Sequence, residues 1–154
     1  MKRAINFYRQ FFVAMCMVFA LQACVTTPET PREAVAVAEI GYQEALDTAT
    51  RWANEGRLDD GEKRQLTEAF DAYEGARNTA RTAITAHDVI KNGGTLADLD
   101  LATITRLLGV SQQDLEAAEA AGQLVQLLAG KADSNASAVS LALINLRTIL
   151  AEVE

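Results

Sequence analysis

VAVAEIGYQEALDTATRWANEGRLDDGEKRQL, residues 35–66, holds one helix, its stop and the start of a second helix. Val35, Ala38, Tyr42, Ala45, Ala49 and Trp52 recur at alternating spacings of three and four. That is the a/d stripe of a helix packed along one face. Pro31 suits the first turn of this helix, where its missing N–H would have no partner anyway. Gly56 supplies the left-handed stop. Asp59 and Glu62 then pair as a capping box and open the next helix. The link is too short for anything but an antiparallel return.

Working outward, the second helix is expected to run to about Lys91. Its stripe is Leu66, Ala69 or Phe70, Tyr73, Ala76, Ala80, Ala83 or Ile84, and His87. Asn92-Gly93-Gly94 ends it. Three shorter helices are expected beyond. Thr95 with Asp98 caps one that buries Leu96, Leu99, Ile104, Leu107 and Leu108 and stops at Gly109. Ser111 with Asp114 caps the next, with Leu115, Ala118, Gly122, Val125 and Leu128 on one face and a stop at Gly130. Asp133 or Ser134 opens the last, along Val139, Leu143, Leu146, Leu150 and Val153. Start and stop signals agree with the stripes, and no strand-like alternation is bounded by turns. The expected fold is all-α: a long antiparallel hairpin plus three shorter helices packed as a bundle. In domain terms, residues 33–154 form one helical domain, with the hairpin at 33–92 and a three-helix part at 95–154.

The chain begins differently. Lys2, Arg3 and Arg9 precede an apolar run from Phe11 to Leu21. A spanning helix needs about 20 apolar residues, so this run suits the core of an export signal. Leu21-Gln22-Ala23-Cys24 follows directly. It resembles the lipobox of bacterial lipoproteins, with Gln22 departing from the usual residue at that place. The resemblance implies removal of residues 1–23, a diacylglycerol on the Cys24 thiol and acylation of the new amino group. Val25 in the next position implies the outer membrane, facing the periplasm of a Gram-negative bacterium. Ordinary signal cleavage after Ala23 and an uncleaved anchor are the competing readings. Residues 24–32, with Pro28 and Pro31, read as the lipidated cysteine and a stiff tether.

Without residues 1–23 the chain keeps 11 Lys and Arg against 21 Asp and Glu, a net charge of −10. Such a domain repels nucleic acid and anionic lipid headgroups and carries no basic stripe. Cys16 leaves with the signal, so Cys24 is the last cysteine and no disulfide forms within the chain. The aromatic residues that stay, Tyr42, Trp52, Phe70 and Tyr73, all lie in the hairpin.

Candidate chemistry is sparse. His87 is the sole histidine, and it stands on an apolar stripe near a helix end, where a histidine suits the helix dipole. A catalytic base would need a nucleophile and an orienting acid beside it. Asp59-Asp60-Gly61-Glu62 lacks the ligand alternation of a calcium loop and reads as a cap. Asp98 and Asp100 flank Leu99 and are expected to point apart. Arg77 and Arg81 read as a solvated face with Asp71 and Glu74 a turn earlier. No phosphate-binding glycine motif is present. No catalytic, cofactor or metal residue is therefore assigned, and no small-molecule substrate is evident. Lipidation at Cys24 is the single site.

The Ala-rich hairpin with its Gly56–Glu62 link is similar to small helical lipoproteins of Gram-negative bacteria and their prophages, a resemblance that brings no active site. The expected role is non-enzymatic: a membrane-anchored envelope lipoprotein with a structural or protein-binding task. Its partners would be the membrane, through the lipid, and a protein or a second copy, through helical faces. A phage-derived factor in lysis or superinfection exclusion is the first alternative. A cell-wall-active enzyme is the second.

Overall fold

The structure is a computed structural model that describes residues 28–153. The export signal, the lipobox and Cys24 lie outside the described residues. The described chain is all-α, with five α-helices and one short 3-10 turn.

Helix α1 spans Pro31–Asn54. Thr30 caps it, its hydroxyl accepting from the Glu33 N–H at 3.2 Å. Gly56 turns the chain at φ +68, a conformation that glycine adopts freely. Helix α2 spans Asp60–Lys91. Its capping box is complete: the Glu62 N–H donates to Asp59 Oδ1 at 2.8 Å, and the Asp59 N–H donates to Glu62 Oε2 at 2.7 Å.

The third expected helix splits. Leu96–Asp98 forms the 3-10 turn, Leu99 is extended, and helix α3 spans Leu101–Leu108. The cause is a second cap. Asp98 Oδ2 accepts from the Thr95 N–H at 2.8 Å and from its hydroxyl at 3.0 Å. Two residues on, Asp100 accepts from the Thr103 N–H at 3.1 Å and from its hydroxyl at 2.6 Å. Side chains that bond the local backbone offer it an alternative to the helix ladder. Two such devices in succession leave no room for one continuous helix.

Helix α4 spans Gln112–Ala120, capped by Ser111. It stops at Gly122 (φ +68), eight residues before the expected stop at Gly130. The Gly122 and Gln123 N–H groups close the end by donating to the Glu119 and Ala118 carbonyls at 3.0 and 2.8 Å. Helix α5 then spans Leu124–Val153 without a break at Gly130, Asp133 or Ser134. The polar side chains just after the expected start at Asp133 or Ser134 bond back onto their own helix. Asn135 Nδ2 donates to the Lys131 carbonyl at 2.7 Å, and the Ser137 hydroxyl donates to the Asp133 carbonyl at 3.0 Å. The last helix is therefore not short. At 30 residues it matches the 24 and 32 of the hairpin arms, and at 1.5 Å per residue it is roughly 45 Å long.

This length changes the architecture. The most extensive packing is α2 against α5, then α1 against α5; the hairpin arms touch each other less than either touches α5. Helix α5 runs antiparallel to α2 and parallel to α1. The hairpin alanines admit it closely: Ala80 and Ala83 are fully buried. Two apolar cores result. The first joins all three long helices around Tyr42, Trp52, Leu66, Tyr73, Val139 and Leu146. Its aromatic centre is tight, with Tyr42 stacked on Tyr73 at 4.3 Å and edge-on to Phe70 at 5.5 Å. The second gathers Ala83, Ile104, Leu108, Leu115, Leu124 and Leu128 where α3 and α4 close over α2 and α5. It contains no aromatic ring, as the composition of the second half requires.

Candidate functional site

Pro31, at the start of α1, places Arg32 beside the far end of α2. There the Arg32 guanidinium bonds the Asp88 carboxylate. His87 is half-buried next to it, its Nδ1 3.4 Å from Asp88 Oδ1. With Ile84, Lys91 and Asp133 these residues line a cleft of about 330 Å³ between α1, α2 and α5. The hydroxyl in the cleft belongs to Thr30 and is engaged as the α1 cap. Two cations, Arg32 and Lys91, face two carboxylates, Asp88 and Asp133, so the cleft favours neither sign of ligand charge. The geometry gives His87 an ion-pair neighbourhood that ties the ends of two helices together.

Asp98 and Asp100, expected to point apart, line one shallow cleft with Arg81, Thr85, Leu99 and Thr103. Each carboxyl is held below its ordinary 3.8 by hydrogen bonds, from the Thr95 backbone and hydroxyl for Asp98 and from the Thr103 hydroxyl and backbone for Asp100. Both are thus occupied as helix caps. Among the described residues, no group of three or more His, Cys, Asp or Glu side chains converges as a metal site would require. Arg77 and Arg81 do more than the expected pairing along one helix. Arg77 meets Glu74 at 2.7 Å and lies 4.0 Å from Glu39 of α1, and Arg81 bonds the same Glu39 carboxylate. The two arginines fasten α2 to α1.

No protein-family model, curated protein or solved structure matches this chain.

What stands out is a surface. Val37 and Ile40 on α1, and Leu141 and Ile144 on α5, are 44, 65, 66 and 59% exposed. The parallel helices bring them to one place. Glu44 meets Arg147 at 3.5 Å across the groove between α1 and α5. A Cβ on buried Gly41 would come within 2.9 Å of Leu143, so the backbones are close at this level. Val37 and Ile144 flank that groove, and Ile40 and Leu141 stand on its two ridges. The outward side of α5 is also almost free of charge. Between Asp133 and Glu152 its one ionised side chain is Arg147, which Glu44 pairs. The other exposed positions there are Ser134, Ser137, Ala138, Leu141, Ile144, Asn145, Thr148 and Ala151. A helix of this length and mean hydropathy could span a membrane on those grounds alone, as could the core helix of a soluble bundle. Leu141 and Ile144 are apolar side chains of this helix that its core packing does not use. Sequence reading missed this face because it followed one stripe, Val139 to Val153. The clue was in the sequence: a nearly charge-free stretch in a chain that is 23% charged.

Proposed function

We propose that this protein is a membrane-anchored envelope lipoprotein with a structural or protein-binding role and no enzymatic chemistry of its own. The observation that carries the reading is the apolar run Phe11–Leu21 ending in Leu21-Gln22-Ala23-Cys24. Cys24 is the lipidation site, and the mature chain begins there. Val25 favours the periplasmic face of the outer membrane. Two or three acyl chains hold firmly, at about 0.8 kcal/mol per buried CH₂, where one alone binds marginally. The bundle supports this reading in one respect. Asp98 and Asp100 are spent on helix caps, and Glu39 and Asp88 on interhelical ion pairs.

The test is metabolic labelling with a fatty-acid probe in a Gram-negative host. The wild-type chain should take the label and fractionate with the outer membrane. Cys24→Ser should take none and accumulate as the uncleaved precursor. Equal labelling of both would remove the lipoprotein reading.

A further inference from the structure

The described chain does not leave the bundle at one end. Pro28, Glu29 and Thr30 sit in a cleft against Ala34 of α1 and Asp133, Ser137 and Ser140 of α5. That is the mouth of the α1–α5 groove, part-way along α5, with α3 and α4 lying beyond it. The apolar surface starts next door. Val37 and Ile40 follow Pro31 by six and nine residues, and Leu141 and Ile144 follow Ser137 by four and seven. At 1.5 Å per residue all four lie within about 15 Å of this mouth.

We propose that the exposed Val37–Ile40–Leu141–Ile144 surface rests on the lipid bilayer that holds the anchor, so that the bundle lies along the membrane on its α1–α5 side. This inference rests on lipidation at Cys24. Cys24 stands four residues before Pro28, and four residues of extended chain reach at most about 14 Å. The anchor therefore lies within that reach of Pro28, and the apolar surface next to Pro28 is held near the headgroups. Position along the bundle adds to this: a tether leaving part-way along one side disfavours an end-on stance.

The domain carries −10 overall, which disfavours contact with anionic headgroups. The α5 half of the groove side opposes contact least, because Arg147 is neutralised by Glu44 and the α5 surface from Ser134 to Thr148 is otherwise uncharged, while the α1 half carries exposed Glu33, Asp47 and Arg51. Size separates the bilayer from a second copy as occupant. Four side chains make a patch of a few hundred Å², against the roughly 800 Å² per partner of a standard stable interface. That is little for two free molecules. It suffices for a surface that a short tether already holds at high effective concentration.

The experiment uses the full-length chain, exported and processed, then reconstituted into vesicles of phosphatidylethanolamine with a minor share of phosphatidylglycerol. Ile40→Cys, Leu141→Cys and, as a control on α2, Glu68→Cys are each labelled with an environment-sensitive thiol dye. With Cys24 lipidated, the introduced thiol is the reactive one. Vesicles are prepared with plain or brominated acyl chains, and flotation reports anchoring. The dye at Ile40→Cys or Leu141→Cys should shift to the blue and lose most of its intensity to brominated chains. The dye at Glu68→Cys should do neither. Flotation with a blue shift but no quenching would mean that a second copy covers the face, and would overturn the inference. Flotation with no shift would leave the face in water and overturn it too, with Cys24 lipidation intact. Failure to float would overturn both the inference and the anchor beneath it.

Discussion

Tyr73 concentrates the chemistry of the first core into one side chain. Its ring is fully buried and stacks on Tyr42, yet its hydroxyl has no hydrogen-bond partner. Arg77 Nε, one turn on, is likewise without one. A buried polar group without a partner costs its full desolvation. Tyr73→Phe keeps the stack and removes the cost, and it should stabilise the protein by about 1 kcal/mol in a thermal melt. The same burial, reinforced by the nearby Glu39 carboxylate, pushes the Tyr73 phenol up to about 12 from 10.0. A group whose pKa rises on folding contributes stability that is full below its unfolded value and fades above it. That contribution should hold below pH 10 and be lost as the pH climbs toward 12. Tyr73→Phe should flatten that alkaline loss in melts across the same interval. An equally steep decline in the variant would place the effect elsewhere. Tyr73 was legible in the sequence as a stripe residue, but its missing partner was not. That depends on what α5 and Glu39 bring to it, and spacing along α2 carries no information about either.

At the scale of the element, helix α5 is where reading and structure part. Gly130 followed by Asp133 and Ser134 has the form of a stop and a cap. Whether such residues cap a helix or bond back within it depends on the packing of their neighbours. Here Leu128, Ala132 and Ala136 are buried against α2 and its surroundings, and this holds the segment helical through the glycine. A direct test follows. Gly130 lies inside the helix with open space around its Cα. Gly130→Ala should therefore stabilise by about 1 kcal/mol, the helix-interior difference between the two residues. Were Gly130 a left-handed stop, alanine there would destabilise instead. The alanines along α2 make the opposite prediction. Ala80 is fully buried within the first core, where α1 and α5 also pack. Ala80→Leu should overpack this site and cost about 1–3 kcal/mol, read as a lowered melting temperature. The small residues of the hairpin were legible; their partner was not. They face α5 more than they face the other arm.

At the scale of the whole molecule, the all-α class and the boundaries of α1 and α2 were legible because stripe, start and stop signals agreed at Pro31, Gly56, Asp59 and Asn92. The packing of the last helix against both arms of the hairpin was not, because long-range packing leaves no local mark. The exposed face on α1 and α5 was half legible. The near absence of charge on its α5 half is written in residues 134–151, where Arg147 alone is ionised, but the alignment with Val37 and Ile40 needs the fold. The Cys24 reading owes nothing to packing and lies outside the described residues.

Helix α5 has one more consequence, and it concerns time. Residues 124–153 are the last of the described chain to be made, yet they supply one wall of both cores. A hairpin delivered without them has its alanine stripes open to water and its best packing partner missing. Synthesis makes a chain in sequence order, so neither core can close until residues 124–153 have been made. Folding of the described bundle therefore waits on α5.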